Sequence, residues 1–92
     1  MENNHRMANL KAILKATLAE VRSYREKARD ARGKLLLAMQ EVARDPAHAH
    51  LRYSEVGRLY IEQERFNTLS YLSFGSSLTL RREIQMLKAQ LS

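Results

Sequence analysis

An all-α fold, an antiparallel two-helix hairpin with a coiled-coil-like seam, follows from three features of the 92-residue sequence. Apolar and small side chains recur at alternating steps of three and four along both halves. The single proline, Pro46, stands between those halves beside Asp45. A charge-free stretch in the second half carries more apolar surface than one neighbouring helix covers, so the expected hairpin is completed to a helical bundle by self-association or by a partner.

The first seam is Met7, Leu10, Leu14, Thr17, Val21, Tyr24, Ala28, Ala31, Leu35, Ala38 and Val42. Side chains three and four apart share one face of a helix, whereas a strand alternates with period two. Five heptads of this spacing therefore predict one long helix over about residues 5–44. Gly33 lies inside it, at a cost of about 1 kcal/mol relative to Ala. Asp45-Pro46 ends it, because the residue before proline is pushed out of the α region and proline has no amide hydrogen to donate. The same pair suits a helix entry, Asp as N-cap and Pro as first helical residue. The second helix is thus expected to start between Pro46 and Ser54, after a turn at about 45–53, and to run over about 54–91.

Its seam is Val56, Leu59, Gln63, Phe66, Ser70, Ser73, Ser77, Leu80, Ile84, Leu87 and Leu91. Two long helices with a short link fold back antiparallel. A turn centred near residue 49 sets Val42 against Val56, Ala38 against Leu59, Ala31 against Phe66, Tyr24 against Ser73 and Leu10 against Leu87. Large residues then face small ones in the middle, which supports that register; a turn centred at residue 45 shifts every pair.

Composition narrows the function. With 45% hydrophobic and 28% charged residues the chain reads as one folded domain, residues 1–92. It has no cysteine, which excludes disulfides, thiolate metal sites and a cysteine nucleophile. Sixteen Lys and Arg against ten Asp and Glu leave a charge of +6, which favours acidic partners. No run of 18 apolar residues occurs, and Lys11 and Lys15 interrupt the opening apolar residues, so neither a membrane span nor a secretory signal is expected and the cytoplasm is the expected location.

With Met7 and Val56 as heptad position a, position e holds Lys11, Leu18, Arg25, Arg32 and Met39, then Tyr60, Asn67, Phe74, Arg81 and Lys88, with no acid among them. Adding position b gives a ladder of Lys11, Lys15, Arg22, Arg25, Arg29 and Arg32 along the first helix. The g flank leans negative through Glu20, Glu41, Glu55, Glu62 and Glu83. The ladder is a candidate surface for nucleic-acid phosphates or an acidic protein, although Glu26 and Asp30 lie close enough along the helix to pair with part of it.

Asn67 to Leu80 contains no charge over fourteen residues. Leu69, Tyr71, Leu72, Phe74 and Leu78 spread round most of the helix there and form the candidate partner-binding set. His48 and His50 read as turn histidines, since neither cysteine nor a carboxylate cluster completes a metal site. No phosphate loop, nucleophile elbow or paired apolar carboxylates occur, so no enzyme activity, cofactor or small-molecule substrate is expected. The residues point to a non-enzymatic protein-interaction module, an adaptor, chaperone or regulatory subunit that pairs with itself or with another helical protein. The alternative is a basic nucleic-acid-binding regulator.

Overall fold

The structure, a computed structural model, describes residues 2–91. Helix α1 spans Glu2–Arg44 and helix α2 spans Tyr53–Leu91, with a 3₁₀-helical link at Pro46–Leu51. The two helices pack side by side as a rod with Cα extents of 69 × 14 × 14 Å. No strand occurs among the described residues. α1 begins at Glu2, five residues before Met7, the first seam position, and Glu2 in its first turn complements the positive end of the helix dipole.

The link shows how Asp45-Pro46 reverses the chain. Asp45 sits at φ −132° and ψ 76°, outside the α region, as a residue before proline must. Its carboxylate does not cap the link but lies 2.8 Å from Nδ1 of His48. The His48 amide donates to the Asp45 carbonyl at 3.2 Å and the Arg52 amide to Ala49 at 2.9 Å, which keeps the segment wound as tight 3₁₀ turns up to α2. Ala49 is buried where the chain turns back. Arg52 bridges Glu41 at the end of α1 to Glu55 at the start of α2, and with all three half-exposed these contacts stabilise only weakly.

Every seam position from Met7 to Leu87 is buried or half-buried, and only Leu91, at the open end of the rod, is exposed. Leu10 clusters with Ile84 and Leu87 near the chain ends, and Leu35 and Ala38 with Leu59 near the link. Arg25 stacks over Phe74. These contacts match a reversal near residue 49 and not near 45. Between the two aliphatic clusters the seam mixes sizes: Val21, Ala28 and Ala31 from α1 and Ser70 and Ser77 from α2 are buried, and Tyr24 and Phe66 are half-buried among them. The serines fit because their hydroxyls are satisfied within their own helix, Ser70 donating to the Asn67 carbonyl at 2.7 Å and Ser77 to the Phe74 carbonyl at 2.6 Å. No buried side-chain polar atom lacks a partner among the described residues.

Leu59 is 2% exposed and Ser77 is fully enclosed, and they set opposite limits on the seam. Leu59→Ala is expected to cost about 2–5 kcal/mol by opening a cavity. Ser77→Leu is expected to cost about 1–3 kcal/mol by overpacking. Ser77→Ala should stay within about 1 kcal/mol, since only a local hydroxyl bond is lost. Urea denaturation followed by circular dichroism measures all three.

Candidate binding surfaces

The seam that joins the helices also sorts every outward residue to one flank or the other. In an antiparallel pair, e positions of one helix adjoin e positions of its neighbour, and g adjoins g. The e and b positions of both helices thus form one long flank. It carries eight cations: the six of the α1 ladder, plus Arg81 and Lys88 of α2. Glu64 is its only carboxylate. The other eight Lys and Arg of the chain are set against the remaining nine carboxylates. The positive surplus of the protein therefore lies on a single flank.

The side chains there line two adjoining open hollows, together a shallow arginine channel. One hollow is lined by Leu18, Val21, Arg22, Arg25, Glu26 and Arg29 of α1 and by Phe74 and Arg81 of α2. The next shares Arg25 and Arg29 and continues with Arg32, Gln63 and Asn67. The Arg25 guanidinium sits over the Phe74 ring at 5.8 Å, a cation–π contact that holds both in the wall. On the opposite flank, the hollow formed by Lys27, Asp30, Lys34, Glu62 and Phe66 is mixed in sign. There the ammonium of Lys27 lies 5.8 Å from the rings of both Tyr24 and Phe66.

The ladder is not neutralised. Among the described residues the ion pairs join Arg52 to Glu41 and Glu55, Arg58 to Glu62 and His48 to Asp45, and none uses a ladder cation. The pairing with Glu26 and Asp30 that their spacing allows is not formed. Exposed pairs of this kind gain little in water and cost side-chain freedom. Lys11 and Lys15 are exposed on the same flank, beyond the channel toward the open end.

The five apolar residues singled out on α2 do not share one face. Tyr71, Phe74 and Leu78 follow the seam by one step and lie on the arginine flank. Leu69 and Leu72 precede it by one step and lie on the other. Tyr71 is 75% exposed and Leu72 64%, while Leu69 is half-buried. Arg81, Asn67 and Gln63 join the channel although the ladder alone did not mark them. Their signal is positional: Asn67, Phe74 and Arg81 stand seven residues apart at position e, and they become neighbours of the α1 arginines once the hairpin register is known.

At the link, Glu41, Arg44, Asp45, His48 and Arg52 line a hollow of mixed charge whose members bind one another. No group of three or more His, Cys, Asp or Glu is placed to hold a metal ion among the described residues. No helix among them is long and apolar enough to cross a membrane. Comparison with known protein families, curated proteins and solved structures finds no match.

Among the described residues Arg22 and Arg29 make no ion pair, so their charge is expected to matter little for folding. Arg22→Gln combined with Arg29→Gln should leave the helical circular dichroism spectrum unchanged and move stability by no more than about 1 kcal/mol.

Proposed function

We propose that this chain is a non-catalytic protein-interaction module, of the adaptor or regulatory-subunit kind, which packs the outer face of α2 against another helix, and that a second copy of the hairpin is its partner. One observation carries the reading. From Asn67 to Leu80 α2 bears no charge on any face, while α1 at the same level bears Glu20, Arg22, Arg25, Glu26, Lys27, Arg29 and Asp30. One side of the rod is dressed for water at mid-length and the other is not.

Surface area supports it. The chain exposes 7282 Å², whereas a compact monomer of 10.7 kDa exposes roughly 5,500 Å². A standard interface removes about 800 Å² from each partner, so an association of ordinary size fits within that excess. Leu72, Ile61 and Met86 stand exposed along the outer face.

Size and charge favour a two-fold antiparallel contact centred on Leu72. Leu69 then lies level with Gly75 of the second copy, and Thr68 with Ser76. A Cβ built on Gly75, as on Gly33 and Gly57, meets nothing within 4 Å, so the surface at this position is open to a neighbour's side chain. Ten residues to either side of Leu72, Glu62 lies level with Arg82 of the copy, so opposite charges meet at both ends. Such self-complementary matching is what a two-fold interface requires.

Light scattering on the purified chain over a dilution series tests this. A mass of twice 10.7 kDa is expected at the upper concentrations, with Leu72→Glu returning the protein to a folded monomer. A wild-type chain that is folded and monomeric throughout overturns the self-association.

A further inference from the structure

The geometry points to a second binding site on the other flank: the arginine channel takes single-stranded nucleic acid, with phosphates held by α1 and bases stacked on α2. This inference does not rest on self-association, which uses the opposite flank of α2.

Two independent rows converge there. Arg22, Arg25, Arg29 and Arg32 climb α1 in steps of three and four residues, about 4.5–6 Å of rise each, and no carboxylate pairs with them. Guanidinium is the group best shaped for phosphate oxygens, and an unpaired row of guanidiniums on a rigid helix meets a polyanion without breaking internal contacts. The second row is aromatic. The chain has six aromatic residues, of which Tyr24 and Phe66 belong to the seam. The other four, Tyr53, Tyr60, Tyr71 and Phe74, all lie on the flank that holds the surplus cations. Phe74 lines the channel and the exposed Tyr71 stands three residues before it, while Tyr53 and Tyr60, which share position e with Phe74, continue the flank from the channel toward the link. Between them Asn67 and Gln63 supply amide donors and acceptors to the same channel.

Cations alone fit any polyanion. Cations facing a row of exposed rings fit a polyanion that also presents flat apolar faces, which a single strand does and a duplex, with its bases stacked inside, does not. An anionic membrane surface is a poorer match, because an interfacial helix sinks an apolar face free of charge, and here the Phe74 ring lies under the Arg25 guanidinium in the channel wall.

The test is fluorescence anisotropy of the full chain with labelled single-stranded oligonucleotides, a duplex of equal length, and anionic phospholipid vesicles in parallel. Tighter binding to the single strand than to the duplex is expected, weakening steeply between about 50 and 200 mM salt. Arg22→Gln with Arg29→Gln should lower the slope of log affinity against log salt by about 1.4, at roughly 0.7 per phosphate contact on a single strand. Tyr71→Ala and Phe74→Leu should lower affinity roughly 5- to 150-fold and leave that slope unchanged. Because Tyr71 is exposed, its variant folds whether or not the reading holds. Preference for the duplex, binding to vesicles alone, no binding at low salt, or aromatic variants that bind as the wild type does would each overturn it.

Discussion

Two helices in contact along one line share a narrow core, and in the middle of that line alanine and serine are interleaved with Val21, Tyr24 and Phe66. Ala28 and Ala31 of α1 and Ser70 and Ser77 of α2 are buried in that stretch, while the large aliphatic clusters sit toward the two ends. Burial stabilises in proportion to apolar area removed from water, so a seam of small residues contributes less per turn than a leucine seam. Everything else about the molecule follows from that limited seam: most side chains stay outside, and the hairpin presents long flanks in place of pockets.

Those flanks differ because a heptad repeat is also a sorting rule. A residue one step after the seam always emerges on one side of the rod, and a residue one step before it on the other. In this sequence the first set collects arginines from α1 and aromatic rings from α2, and the second set mixes charges on α1 with apolar and small residues on mid-α2. Like charges along one flank repel, and solvent screening keeps that cost small while they are exposed. A bound polyanion turns the same repulsion into affinity. The few ion pairs that do form gather near the link, where Arg52 ties the two helix ends together.

The two proposed surfaces divide the apolar residues of mid-α2 between them. Leu69 and Leu72 belong with the face that meets a second copy, whereas Tyr71, Phe74 and Leu78 belong with the arginine channel. A self-associated hairpin would carry two such channels on one body, and paired sites on a rigid support raise apparent affinity for a long ligand. Shape and charge thus make the two readings compatible, each on its own flank.

Local chemistry alone determined the helices, their seam, the reversal at Asp45-Pro46 and the cationic ladder, because side-chain period, proline geometry and charge are properties of neighbouring residues. Full or partial burial at every seam position from Met7 to Leu87 agrees with that reading. Pairing across the hairpin decided the rest. The aromatic rings of α2 and the arginines of α1 lie some fifty residues apart in sequence, Arg25 and Phe74 among them, and nothing in either helix taken singly states that they share a wall. The division of Leu69 and Leu72 from Tyr71, Phe74 and Leu78 likewise appears only once the Ser70–Ser77 face is turned inward. A fourteen-residue uncharged stretch reads as one patch until packing assigns an inside, and the inside here is chosen by small side chains that hydropathy does not mark.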